Sequence, residues 1–97
     1  MPAEIESAIS ELDIIENVRV IGVPSDFYGE EVAACVVLKP GAVLDEEQVR
    51  EQLSGKLAKH KIPSCFFVFD EFPMLGSGKI DGVTLKQEVQ RRMSEKQ

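Results

Sequence analysis

The stretch "EVAACVVL", Glu31 to Leu38, runs through seven apolar residues after a single glutamate. Side chains on a strand alternate between two faces, so an unbroken apolar run means that neither face meets water. Such a strand needs partners on its edges and cover on its sides. With 97 residues the chain can build one modest core, but not two lobes around a deep cleft. The run therefore predicts a single domain, residues 1–97, built around a buried strand.

The flanking pattern fills in the other elements. Pro2 suits a first helical turn, and Ile5, Ala8, Ile9 and Leu12 recur at helical spacing. "VRVIGV", Val18 to Val23, reads as a strand ended by Pro24 and a polar turn containing Gly29. Pro40-Gly41 ends the buried strand. Asp45 then sets an N-cap, with Gln48 completing a capping-box pattern, and Val49, Leu53 and Leu57 line one face of a helix stopped by Pro63. "CFFVF", Cys65 to Phe69, is a third strand, and Leu85, Val89 and Met93 mark a last amphipathic helix. The link between the first two strands is too short for a crossover, so they form a hairpin. The helix before the third strand permits a parallel pairing. The fold class is α+β: a small mixed three-stranded sheet packed with helices.

Composition excludes several functions. A net charge of −6 with scattered basic residues argues against a nucleic-acid partner. There is no apolar run of membrane-span length and no signal-peptide pattern, and the apolar fraction of 43% is ordinary for a folded soluble domain. Cys35 and Cys65 lack metal-type spacing and read as reduced core thiols of a cytoplasmic protein. His60, among lysines at a helix end, reads as solvated, and no serine or cysteine stands in a nucleophile elbow. The acidic run Asp45 to Glu47 suits a helix N-terminus and offers too few convergent oxygens for a metal, so no metal site is expected.

The one stretch that invites chemistry is "FPMLGSGKID", Phe72 to Asp81. Gly76, Ser77 and Gly78 lead into Lys79. A P-loop would need glycine at position 73 and a hydroxyl after the lysine, but Pro73 and Ile80 stand there. By spacing alone the stretch is either a structural turn or some other phosphate-handling loop.

The stretches "PAEIES", "VIGVPSDFYGEEVAACVVLKPG", "LDEEQVREQLSGKLAKHKIPSCFFVFDEFP" and "GSGKID" together resemble, in order and spacing, the C-terminal lobe of adenylate-forming (AMP-binding) enzymes. That superfamily contains acyl-CoA synthetases, which this chain resembles most, the adenylation domains of peptide synthetases, and luciferases. The resemblance runs from about Pro2 to about Val89. It implies a mobile small lobe that closes over a large N-terminal lobe, the partner that holds the acyl pocket and most of the ATP site. Carboxylate and ATP, taken with Mg2+, would give an acyl-adenylate. The lobe would then swing, and the thiol of coenzyme A or of a carrier phosphopantetheine would attack. Pro73 to Lys79 matches the family's P-x-x-x-x-G-K loop, so the resemblance makes Lys79 the adenylation lysine on the phosphate loop Gly76, Ser77 and Gly78. It also implies coenzyme A contacts at Tyr28, Gly29, Lys61, Pro63 and Ser64. Some relatives carry Arg where this chain has Tyr28 and Ser64, and many carry a basic residue where Asp81 and Gly82 stand. The family's hinge residue and ribose-binding Asp and Arg would lie just upstream of Pro2. The chain is accordingly expected to be an excised piece or a stand-alone remnant, inactive alone. The competing expectations are a non-catalytic binding or regulatory module of the same fold, and the matching lobe of a carrier-loading adenylation domain.

Overall fold

The computed structural model describes residues 2–25 and 29–95. Its centre is the apolar run. Strand β2, Gly29–Leu38, lies between β1, Ile15–Ser25, and β3, Cys65–Phe69. Strand β1 pairs antiparallel with β2 from Ser25 opposite Gly29 to Ile15 opposite Leu38. Strand β3 pairs parallel with β2 from Ala33 opposite Cys65 to Val37 opposite Phe69. The expected hairpin is present, and the third strand takes the parallel pairing that the preceding helix permits. Ala33, Ala34, Cys35 and Val36 are all fully buried, so both faces of β2 are covered.

Alternation along the strands divides the interior in two. Ala34, Val36, Phe66 and Val20 face helices α1, Pro2–Ser10, and α2, Glu46–Ser54, where Ile5, Ile9, Val49 and Leu53 complete one core. Ala33, Cys35, Val37, Phe67 and Phe69 point the other way, onto Leu85 and Val89 of α3, Gly82–Glu95. The period-two geometry of a strand thus turns one apolar run into two cores.

Several boundaries differ from the sequence expectation: β1 begins at Ile15 rather than Val18, and β2 begins at Gly29, the residue expected in the turn. Strand β1 continues through Pro24 to Ser25. A proline is tolerated there because β1 is an outer strand, where one missing N–H need not break a ladder. Helix α1 ends at Ser10, and Leu12 is buried from the turn that follows. Helix α2 stops at Ser54 rather than running to Pro63. Ser54-Gly55 is a weak helix-forming pair, and the amides of both Lys56 and Leu57 close onto the Leu53 carbonyl at 2.9 Å. Leu57 is still buried, because the chain folds back there before a 3-10 turn at Lys59–Lys61. Asp45 is an N-cap as expected, its Oδ1 accepting from the Gln48 amide at 3.2 Å.

Side chains from the helices reach both outer strands. Glu6 of α1 accepts the Val20 amide of β1 at 2.7 Å. Arg92 of α3 lies 4.2 Å over the Phe69 ring and donates to the Val68 carbonyl of β3 at 2.7 Å. Neither cysteine is in a disulfide. Burial, reinforced by Cys65 nearby, pushes the Cys35 thiol up to about 12, so it packs as a neutral core group.

Hydrogen bonds from Arg91 and then Arg92 hold the Glu88 carboxyl at about 2, against an ordinary 4.5. Lys61 lowers Glu4, and Thr84 lowers Asp81. A depressed carboxylate stabilises the fold above its unfolded value and loses that contribution as pH falls through its folded one. The unfolding midpoint should therefore be nearly flat above about pH 5 and fall progressively from about pH 4.5 towards pH 2. Glu88→Gln should shallow that fall. Thermal unfolding across this range checks it, and an unchanged slope in the variant would refute the assignment to Glu88.

Candidate functional site

The glycine stretch folds as a hydrogen-bonded hairpin. Met74 bridges antiparallel to Ile80, the Leu75 amide donates to the Lys79 carbonyl at 2.7 Å, and the Gly78 amide donates to the Leu75 carbonyl at 2.9 Å. Gly76, Ser77 and Gly78 form its three-residue tip. Gly78 has φ +90°, a left-handed conformation that any side chain would strain, although the space around it is open. The glycine is thus needed for backbone shape and not for room. Beyond the hairpin, the Asp81 amide closes onto the Pro73 carbonyl at 2.8 Å.

Lys79 is exposed, and among the described residues its amine has no hydrogen-bond or ion-pair partner. Its backbone is held by the hairpin, and its side chain points into solvent from that frame. Met74, Leu75 and Val83, close to it in sequence, are apolar and exposed at 55%, 47% and 71%. An unpaired cation on an ordered loop can stabilise charge developing on a neighbouring phosphate without first breaking an ion pair.

The residues expected at coenzyme A fall in a second group. Tyr28 lies outside the described residues. Gly29 opens β2 with φ +79° and is exposed. The Lys61 ammonium is paired to Glu4 at 2.7 Å. The Pro63 side chain is fully buried, and its carbonyl accepts from Arg50 Nε at 3.1 Å. Ser64 Oγ donates to Glu31 Oε2 at 3.1 Å. Lys61 and Ser64 border an open groove of about 680 Å³ and its continuation, where Glu30, Glu31, Lys59 and His60 are also found. More of the groove's lining is apolar than polar, and its carboxylates balance its ammonium groups. Among the described residues no cluster of three His, Cys, Asp or Glu could hold a metal ion.

The segments that carry Lys79 and Lys61 are anchored in different cores. Ile80, next to Lys79, packs into the α3-side core, whereas Ile62, next to Lys61, packs into the core under α1 and α2. Two supporting residues escaped the sequence reading. Asp81 caps α3, a role signalled by an Asp three residues before Thr84 at a helix start. Arg50 donates to the carbonyls of Pro63 and Ser64 and lies 5.4 Å over Phe66. No local signal reveals a bond spanning thirteen or fourteen residues.

The same residues match a known family model, that of the AMP-binding enzyme C-terminal domain, over residues 4–79. The chain belongs to this family. Among its relatives is the putative acyl-CoA synthetase YngI of Bacillus subtilis, 37% identical over 91% of this chain and 16% of that protein. Human medium-chain acyl-CoA ligase ACSF2, a mitochondrial protein, is 32% identical over 96% of this chain and 15% of its own length. ATP-bound MatB from Rhodopseudomonas palustris superposes with a TM-score of 0.84 at 39% identity, covering 90% of this chain and 17% of MatB. This AMP-binding C-terminal domain thus spans about a sixth of the length of the relatives it matches. None of its described helices is long and apolar enough to cross a membrane.

Proposed function

We propose that the chain is the mobile C-terminal lobe of an acyl-CoA synthetase and that Lys79 is its adenylation lysine. The observation that carries this is the unpaired Lys79 amine on a hydrogen-bonded hairpin, within a stretch that matches the family through that residue. In the first step a carboxylate oxygen attacks the α-phosphorus of ATP and pyrophosphate leaves, with Mg2+ arriving bound to the nucleotide. Negative charge grows on the α-phosphate oxygens, and the Lys79 ammonium stabilises it more in the transition state than in the ground state. In the second step the thiol of coenzyme A attacks the acyl carbonyl carbon and AMP leaves. The names of the relatives favour coenzyme A over a carrier protein.

The segments that carry Lys79 and Lys61 are anchored in different cores, through Ile80 and Ile62, which suits a lobe that presents one face for each step. The groove at Lys61 and Ser64 is not net basic. In this reading it lies along the uncharged arm of coenzyme A, and the large lobe holds the phosphates. The buried Cys35 thiol is compatible with a reducing compartment, and we assign the enzyme to the cytoplasm.

Alone, the chain should show no ATP–pyrophosphate exchange with any carboxylic acid. One lysine cannot supply the positioning that a bimolecular reaction demands. Substituted into MatB for the sixth it matches, the domain should restore the exchange that removal of that sixth abolishes. Exchange by the isolated chain, or none in the substituted enzyme, would overturn the proposal.

A further inference from the structure

Asp81 stands where the family resemblance leads one to expect a basic neighbourhood, and its side chain is committed to the domain itself. Its Oδ1 accepts from the Thr84 amide at 3.1 Å, and its Oδ2 accepts from Thr84 Oγ1 at 2.7 Å. Its backbone carbonyl accepts from the Leu85 amide at 3.0 Å, the start of the α3 ladder, while its own amide closes the hairpin at Pro73. Four hydrogen bonds therefore meet at one residue, two places after Lys79. On the helix side the two side-chain bonds end at Thr84, which is exposed, and the backbone bond at Leu85, which is fully buried. On the hairpin side Gly76, Ser77, Gly78 and Lys79 are all exposed and have no core contact of their own. Phe72 on one arm and Ile80 on the other anchor the hairpin in the α3-side core, and Asp81 ties the second arm to the start of α3.

We propose that Asp81 is a positioning residue for Lys79. By capping α3 and closing the hairpin together, it holds the lysine backbone in a set place relative to the α3-side core. This rests on Lys79 acting in adenylate formation. It goes further in assigning the precision of that lysine to a cap bond, and not to the glycine tip. A negative charge is not what the role requires, because asparagine offers the same cap oxygen. Removing the cap leaves the backbone bonds of Asp81 in place but should loosen the first turn of α3, and through it the hairpin that the same residue closes. A reacting group misplaced by about 1 Å can lose roughly a hundredfold in rate.

The control for general destabilisation is Asp45, which caps α2 in the same way on the other side of the sheet. In the isolated domain, amide exchange at Leu75 and Gly78 should be about tenfold faster in Asp81→Ala than in Asp45→Ala, with Asp81→Asn close to the parent. In MatB carrying the domain, Asp81→Ala should lower kcat for adenylate formation by roughly tenfold to a hundredfold. Thiol transfer from supplied acyl-adenylate should be unchanged, and Asp81→Asn should keep most of the rate. Equal behaviour of the two alanine variants, or failure of asparagine to rescue, would overturn the inference. Lys79→Ala separates it from the reading beneath it. If that variant spares adenylation, the role of Lys79 falls. If it cripples adenylation while Asp81→Ala does not, only the positioning role falls.

Discussion

Replacing Lys79 with alanine in a two-lobe enzyme carrying this domain should slow adenylate formation by about a hundred- to a thousandfold, the effect of removing one preorganised charge contact, or about 2.7–4 kcal/mol. Thiol transfer from a supplied acyl-adenylate should continue at nearly the parent rate. In the proposed mechanism the asymmetry follows from charge: the first step would build negative charge on the α-phosphate, and the second, with the lobe turned, would no longer place the amine there. The isolated domain should be almost unaffected, within about 0.5 kcal/mol, because an exposed and unpaired side chain contributes little to stability. Acylation of the exposed amine should copy the alanine change, because it removes the same charge. Half-reaction rates and the unfolding midpoint, measured together, check all of this. Equal losses in both half-reactions, or a large fall in the midpoint, would make the hairpin a structural element only.

The complementary change is Leu85→Ala. Leu85 is fully buried between α3 and the sheet, in the core shared by Val89, Phe67 and Val37. Deleting a buried leucine side chain costs about 2.7–5 kcal/mol, because the cavity left behind adds to the lost transfer free energy. A domain of this size typically has about 5–15 kcal/mol in total, so the variant should unfold at a much lower temperature or denaturant concentration. The parent should unfold in one cooperative transition, since both cores share β2 and cannot come apart separately. A loss below about 1 kcal/mol would mean that α3 is not held by this residue, and a broad or stepped transition would mean that the two cores are independent. Lys79 and Leu85 are six positions apart and are expected to divide cleanly, one changing chemistry and the other stability.

How legible each part was in the sequence depended on whether its cause was local. The apolar run from Val32 to Leu38 determined that a strand would be buried on both faces, because side-chain alternation is a property of the strand itself. Asp45 and Gln48 marked the start of α2, and the short link between the first two strands dictated a hairpin, for equally local reasons. The glycine stretch could be recognised as a turn, and the family pattern pointed to Lys79 within it. The end of α2 was harder. Leu57 keeps the apolar spacing of a helix that the backbone has already left, since burial can be achieved from a turn as well as from a helix. What tertiary structure alone decided was which groups lie together. Pairing of Lys61 with Glu4 spans fifty-seven positions, and Arg50 reaches Pro63 and Ser64 across thirteen and fourteen. Such bonds form because the sheet brings distant segments side by side, and no spacing rule along the chain encodes them. The anchoring of the segments that carry Lys79 and Lys61 in different cores has the same origin. It follows from Ile80 and Ile62 entering different cores, a choice made when α1, α2 and α3 pack and not by any residue's immediate neighbours.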